Sequence, residues 1–477
     1  MTVTILSNIE EALSLILDCG SDLARIQSTL LPALRKLTSS ASSSEPTTSR
    51  STTQASETLL CHPIQGNVDS LTPLNPTTHA LGMLYILSAR ATHNSSTPEH
   101  AASLMPHITA WVHSFDQDQA WLAGDKVVQL ASCLSGLGDT LGDAQSSLQL
   151  LQGLASRFLV HSQSITSLHP ILAYQYLKTQ RYAEAATMLL DLPLIDTDTS
   201  VTPLTHSDAL QYFYYAGLIY IKLERLADAI DSFETQCISA PAVAASAIHM
   251  DAYKKLVLTQ LLAHGQTTPV PKYTPQVVTR TFKQLAQPYL AFITAYESRD
   301  SKSAEAVLRA VEEKKDAFDK DRNLGLVRRC VALHRQRRIQ RLGQVYSALT
   351  LKNIAERVDA GQDFEAVQQD VAEVVRKGWI QASLIPPSNS TSEKGPSADW
   401  VIAFDTFGGD AYTSTACISL LEDKIRTAKE WQTLLVKRDR DVEASQAYLT
   451  RGLKMKDART AADAYGGGAD DFDETEY

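Results

Sequence analysis

Histidine and cysteine are the residues whose spacing would announce a metal or a nucleophile, and neither is spaced for it here. The 12 histidines are dispersed along the chain. A zinc hydrolase centre needs two histidines and a carboxylate, with water in the fourth position. Neither H-x-H nor H-E-x-x-H occurs, so each histidine reads as a surface or satisfied core residue. Cys19, Cys61, Cys133, Cys237, Cys330 and Cys417 stand tens of residues apart with no C-x-x-C among them. Zinc ligands come in close pairs, so these read as buried apolar thiols in a reducing compartment. There is no G-x-x-x-x-G-K-[ST] phosphate loop and no G-x-S-x-G elbow. Gly136, Gly138 and Gly142 miss the dinucleotide spacing and read as helix ends. No catalytic, cofactor-binding or metal residue is therefore assigned. No cofactor is expected, and the chain does not read as an enzyme.

The sharpest charge signal is a basic run: Lys320, Arg322, Arg328, Arg329, Arg335, Arg337, Arg338 and Arg341, opposed by Asp321. The chain as a whole carries a formal charge of -10, which repels phosphate backbones outside a local basic patch. Arginine forks suit carboxylates. Arg328, Arg329, Arg335, Arg337, Arg338 and Arg341 are thus a candidate patch for an acidic partner, with a plain solvated face as the alternative.

These residues need elements to hold them. The length, 477 residues with 44% hydrophobic and 21% charged, allows several domains or one repeat array and a large core without disulfides. Residues 5 to about 37 read as one amphipathic helix, with Ile5, Ile9, Leu13, Ile16, Leu23, Ile26 and Leu30 at helical spacing and Pro32 interrupting late. Residues 38–76 read as a Ser/Thr-rich disordered loop. The N-terminus has no basic and apolar leader pattern. No run of 18 apolar residues exists, so no membrane partner is expected.

Residues 77–320 read as a helical-repeat solenoid, with breaks at Pro98, Pro106, Pro170, Pro193 and Pro203. Phe213, Ala216-Gly217, Tyr220, Ala229, Phe233 and Pro241 match the tetratricopeptide frame. Small residues at 216, 217 and 229 let two antiparallel helices approach, and Phe233 fills the gap above them. Ala173, Tyr176, Ala185 and Leu189 form a weaker copy about 44 residues earlier. A stack of such hairpins offers a long concave surface that suits proteins better than chemistry.

Residues 321–405 change pattern. Ile339, Leu342, Val345, Tyr346 and Leu349 mark one helix, Leu351 to Val358 a second, and Phe364 to Val375 a third ending at Gly378. Trp379 to Ile385 alternates like a strand, a loop from Pro386 to Ser397 follows, and Trp400 to Phe404 reads as a second strand. Three helices and a hairpin are the order of a winged helix. Beside a basic run that order raises nucleic-acid binding. Asp363, Glu365, Asp370 and Glu373 on the third helix would repel phosphates, so nucleic acid is the disfavoured partner. Trp400, Val401, Ile402, Ala403 and Phe404 are expected to offer backbone bonds to a neighbouring chain, as edge strands can. Residues 406–456 hold a long helix with Ile418, Leu421, Ile425, Ala428 and Leu435 at heptad-like steps and Trp431 beside them. That seam calls for partner helices. The acidic tail 457–477 reads as disordered.

This order of elements resembles the PCI family, which builds the proteasome lid, the COP9 signalosome and a translation initiation factor. Several segments resemble the signalosome branch: Tyr212-Phe213-Tyr214-Tyr215-Ala216-Gly217-Leu218-Ile219-Tyr220, Ser239-Ala240-Pro241-Ala242-Val243-Ala244, Ala252-Tyr253-Lys254-Lys255, Pro271-Lys272-Tyr273-Thr274, Asp321-Arg322-Asn323-Leu324-Gly325-Leu326-Val327, Ile339-Gln340-Arg341-Leu342 and Leu349-Thr350-Leu351. The resemblance is dense over residues 170 to 360 and thins elsewhere. It implies a mostly α chain: a tetratricopeptide-like solenoid, a PCI winged helix with a small β-hairpin, and a long C-terminal helix. It also implies a non-catalytic scaffold in the cytoplasm and nucleus, in a complex that removes Nedd8 from cullins through a different, zinc-dependent subunit. The partners implied are other signalosome subunits, met through winged helices and a helical bundle. Cullin-RING ligases are a possible further partner. A proteasome-lid scaffold is the alternative within the family, and a winged-helix nucleic-acid binder the alternative outside it.

Overall fold

In the computed structural model the described residues are 8–39, 57–64, 69–93, 97–159, 164–192, 194, 196–197, 199, 201–298, 303–358, 363–385, 400–405, 415–446 and 448–451. The chain is mostly helical, as the 3.6-residue periodicity dictates. It divides into two compact units: Met1–Ile380 with Leu384–Ile402, and Gln381–Ser383 with Ala403–Tyr477.

The first segment is not one helix. Ile9–Cys19 stops at Gly20, whose φ of 52° ends the helical path. A second helical stretch starts at Leu23, capped by the Asp22 carboxylate, and passes through a π-helical turn at Ile26–Leu30 into Leu31–Ser39. Ile9, Leu13, Ile16, Ile26 and Leu30 are buried as their spacing required. Ile5 lies outside the described residues.

The loop expectation for residues 38–76 is also corrected in part. Glu57–Cys61 forms a 3₁₀ turn that buries Leu60, and Leu71 and Leu74 are buried beyond it. Glu57 accepts from Lys126 Nζ at 2.7 Å, both side chains being nearly inaccessible. A few apolar anchors and one buried ion pair order a stretch whose composition suggested none. Residues 40–56 lie outside the described residues.

The solenoid follows in antiparallel hairpins. Pro98 opens the helix Pro98–Ser114 at its first position, whereas Pro106 sits inside it without ending it. Burial of Leu104, Ile108 and Trp111 on that helix outweighs the one backbone bond the proline removes. Three hairpins turn in the same way. Gly142, Gln180 and Glu224 each take a positive φ. The next residue's N–H then bonds back to the carbonyl five residues earlier: Asp143 to Gly138, Arg181 to Tyr176, Arg225 to Tyr220. Arg322 and Asn323 close a fourth turn onto Phe318 in the same manner.

Within the hairpin His206–Lys222 and Leu226–Asp231 the small residues do what their positions implied. Ala229 and Phe233 are fully buried, and a Cβ on Gly217 would fall 2.5 Å from the Phe233 ring. In the earlier copy Ala173, Tyr176 and Ala185 are likewise buried. Both second helices finish in a π-helical stretch, Ala186–Leu190 and Ser232–Ile238. Apolar clusters succeed one another along the array, from Ile9 through Ile219, then Ala216 through Ala286, then Leu258 through Cys330.

A 22-residue helix, Leu324–Val345, ends the array and begins the next domain. It packs against Ala247–His264 and Ser303–Glu313 on one side and against Leu351–Val358 and Phe364–Arg376 on the other. It starts 15 residues before the expected Ile339. Ile339 is buried, but Val345 is exposed and Leu349 lies in a strand, Ala348–Thr350. That strand, Val401–Asp405 and Gln381–Ile385 make one sheet in the order first, last, middle along the chain. The loop expected from Pro386 to Ser397 lies outside the described residues. The C-terminal helix runs Thr415–Glu443.

The Gly217–Phe233 contact is open to a direct test. Gly217→Val should cost about 1–3 kcal/mol by overpacking, and Phe233→Leu should cost about as much through the cavity left. Thermal unfolding of the double variant should show a loss well below the sum, because the second change makes room for the first. A simple sum would place the two residues apart.

Candidate functional site

Most of the arginine run is turned to partners in its own chain. Arg329 donates both of its bonds to the Glu224 carboxylate, at 2.7 and 2.8 Å. Glu224 is the positive-φ residue of the last tetratricopeptide-like turn, so this pair ties the joint helix to the repeat. Arg335 pairs with Asp370. Arg337, 3% exposed, donates to the Leu262 carbonyl and, at 2.7 Å, to Gln340 Oε1. Its guanidinium lies 3.4 Å from the centre of the Trp379 ring. Arg338 donates to Ser303 Oγ at 2.6 Å and Arg341 to the Gly265 carbonyl. Gln336 donates to Glu373 at 2.8 Å.

The expected acidic-partner patch is therefore corrected for Arg329, Arg335, Arg337, Arg338 and Arg341. These side chains meet carbonyls, carboxylates and a hydroxyl of their own chain, whereas Arg328 is exposed and makes no such contact among the described residues. A guanidinium is weakly hydrated and forked, so it is well suited to burial among several acceptors. Burial pulls Arg337 down to about 10, which still leaves it charged at neutrality. The nucleic-acid reading loses its footing for the same reason. Asp370 and Glu373 of the third helix neutralise this helix rather than repel a phosphate, and Asp363 caps its own helix through Ala366 N–H.

A second polar network missed by sequence reasoning lies at the start of the joint helix. Asn323, 1% exposed, accepts from Lys255 and donates to Tyr289 Oη at 2.7 Å. The Tyr289 hydroxyl donates to Asp321 at 2.9 Å, and Asp321 pairs with Lys254 at 2.8 Å. Burial pulls the Lys255 amine down to about 8. The segments Ala252–Lys255 and Asp321–Val327 thus meet in space although about 70 residues separate them. Their charged letters were the available signal, but nothing in a single sequence pairs them.

The wing also departs from expectation. Val401–Asp405 lies between the other two strands. Trp400, Val401, Ile402, Ala403 and Phe404 therefore do not form an open edge. Ile402 and Phe404 are buried, and the Trp400 carbonyl already accepts from Leu351 N–H at 2.8 Å. The three-residue strand that covers it was hidden in the Leu349-Thr350-Leu351 motif. The outer strand is Gln381–Ile385, whose side chains alternate between exposed and half-buried.

The C-terminal helix keeps its apolar seam uncovered. Leu421 is 46% and Ile425 54% exposed, and Ile418, Trp431 and Leu435 are exposed as well. Ala428 is also exposed. Leu420 and Val436 add to the same uncovered area.

Among the described residues no three histidines, cysteines or carboxylates are placed to hold a metal. Three histidines instead accept backbone N–H groups at helix starts, His249 as part of a capping box with Ser246. The Nδ1 atoms of His79, His169 and His249 accept backbone N–H groups from Asn75, Thr166 and Ser246 at 3.0–3.1 Å. Burial lowers all three, His169 to about 4. Burial, followed by repulsion from Arg338, lowers His334 to about 4. The cysteines are unbridged, and burial raises Cys237 to about 12.

Two outcomes are expected. Arg337→Lys should lose the flat stack on Trp379 and the forked bond, costing about 2 kcal/mol and changing the Trp379 fluorescence; an unchanged melt and spectrum would contradict the clamp. A histidine held neutral in the fold contributes stability above pH 6.5 that is lost as pH falls. Between pH 7 and 5, His169 and His334 should each remove about 2 kcal/mol. Denaturant titrations of His169→Asn, which keeps an acceptor, should show a shallower acid slope than the wild type.

The relatives agree with this anatomy. A family model described as COP9 signalosome complex subunit 3, N-terminal helical repeats, matches residues 47–278. The COP9 signalosome complex subunit 3 of Arabidopsis thaliana is 31% identical over 317 residues, covering 66% of this chain and 71% of that protein. The Drosophila melanogaster protein of the same name is 26% identical over 321 residues, covering 64% and 71%. With a repeat array, a winged helix and a C-terminal helix in the order the resemblance requires, the chain belongs to the COP9 signalosome subunit 3 family.

Proposed function

We propose that this chain is a non-catalytic scaffold subunit of the COP9 signalosome. It supports the removal of Nedd8 from cullin-RING ubiquitin ligases by holding other subunits in place, in the cytoplasm and the nucleus. No helix among the described residues is long and apolar enough to cross a membrane. The observation that carries the reading is the seam of Thr415–Glu443. Ile418, Leu421, Ile425, Trp431 and Leu435 expose apolar surface along one helix, an arrangement that is costly in water unless other helices cover it. The outer strand Gln381–Ile385 supplies a second point of attachment, since its unpaired backbone groups can extend into a neighbouring sheet. Mechanism here is positioning: the clamped helix Leu324–Val345 sets the third helix and Trp379 against the repeats, and the exposed elements take partners.

Charging the seam with Leu421→Glu and Ile425→Glu should leave circular dichroism and melting of the isolated chain unchanged, because both side chains are already exposed. The double variant should lose its partner subunits on co-purification. Retention of the full partner set would sink the proposal, and recovery of proteasome-lid subunits with the wild type would move it to that complex.

A further inference from the structure

The first tetratricopeptide-like hairpin carries a cavity of about 200 Å³. Its cause is a change of register partners. Leu189 stands where the next repeat has Phe233, and His169 stands where it has Phe213. In the next repeat the Phe233 ring packs onto Gly217 and is fully buried. Here two aromatic positions have become an aliphatic and a polar side chain, and the space between the helices stays open.

The wall is apolar, with Leu168, Leu172 and Leu189, and holds two buried donors. His169, 4% exposed, accepts the Thr166 N–H at Nδ1 over 3.0 Å, so its hydrogen sits on Nε2. That hydrogen meets no acceptor among the described residues. Tyr176 is fully buried and accepts from Gln152 Nε2 at 2.8 Å, and its own hydroxyl hydrogen likewise meets no acceptor among them. A donor hydrogen that lines a cavity without a protein acceptor is open to one that enters. Two of them on one apolar wall ask for an oxygen. The lining holds no lysine or arginine and His169 is held neutral, so nothing offsets the cost of burying a carboxylate and a neutral oxygen is favoured. Met188 and Leu192 are exposed and also belong to the wall.

We propose that this cavity binds a compact apolar group bearing one neutral carbonyl oxygen. The oxygen accepts from His169 Nε2–H and the Tyr176 hydroxyl, and the hydrocarbon lies on Leu168, Leu172 and Leu189. This site is independent of the assembly surfaces above. The group can belong to a free small molecule or to a side chain and carbonyl of a bound polypeptide.

Ligand-observed NMR on the full chain tests it with acetophenone and ethylbenzene, which share shape and differ in the oxygen. Acetophenone should bind about tenfold more tightly, and Tyr176→Phe should cut that preference to about threefold by removing one donor. His169→Phe, the residue of the next repeat, should fill the space and abolish both, with melting curves confirming the fold. N-acetylphenylalaninamide separates the sources: binding tighter than acetophenone favours a polypeptide, and weaker binding favours a small molecule. Equal affinity for ketone and hydrocarbon, no saturable acetophenone binding, or binding unchanged in His169→Phe would overturn the site.

Discussion

A guanidinium taken out of water without partners costs several kcal/mol, and the helix Leu324–Val345 buries one completely and four others in part. The rest of the architecture follows from how that demand is met. Arg337 takes the Leu262 carbonyl at the end of one repeat helix and the flat face of Trp379 at the foot of the wing. Arg329 reaches Glu224, Arg335 reaches Asp370, and Arg341 reaches the Gly265 carbonyl. The acceptors are spread over the Glu224 turn, the end of Ala247–His264 and the helix Phe364–Arg376, so satisfying the arginines fixes the repeats and the winged-helix helices against a common strut. An apolar helix would bury as well and specify less, because a carbonyl or carboxylate accepts only at one place.

The repeats prepare those acceptors. The left-handed turn residue Glu224 is shaped by its hairpin, with Arg225 N–H bonded back to Tyr220. The Leu262 and Gly265 carbonyls belong to the C-terminal end of Ala247–His264, where a helix leaves backbone oxygens without internal partners. Cations at a helix C-terminus are favourable on dipole grounds too. The Lys255–Asn323–Tyr289–Asp321 network extends the same logic to the start of the strut. Polar groups, rather than a larger core, define the joint.

Local features were legible in the sequence. Ala216, Gly217, Ala229 and Phe233 announced a close helix pair because small and aromatic residues leave a regular imprint, and the strand and helix order after residue 350 followed from periodicity. The joint was not legible. An arginine run looks the same whether it faces water, a partner or its own chain, and the partners Glu224 and Leu262 lie 105 and 75 residues away, with Asp370 on another helix, farther than any local pattern reaches. The wing strand was misjudged as an edge because Ala348–Thr350, three residues long, is too short to show alternation. Composition likewise hid the order around Leu60 and Leu71, where one buried Glu57–Lys126 pair and a few leucines suffice.

What the clamped strut leaves uncovered is therefore meaningful: the seam of Thr415–Glu443 and the outer strand Gln381–Ile385. Hydrogen–deuterium exchange of the chain alone and within its co-purified complex compares the two classes of surface in one experiment. The account predicts strong new protection across 415–443 and 381–385 on assembly, with Leu324–Val345 equally protected in both states. Protection that appears in Leu324–Val345 while the C-terminal helix exchanges freely in the complex would contradict it.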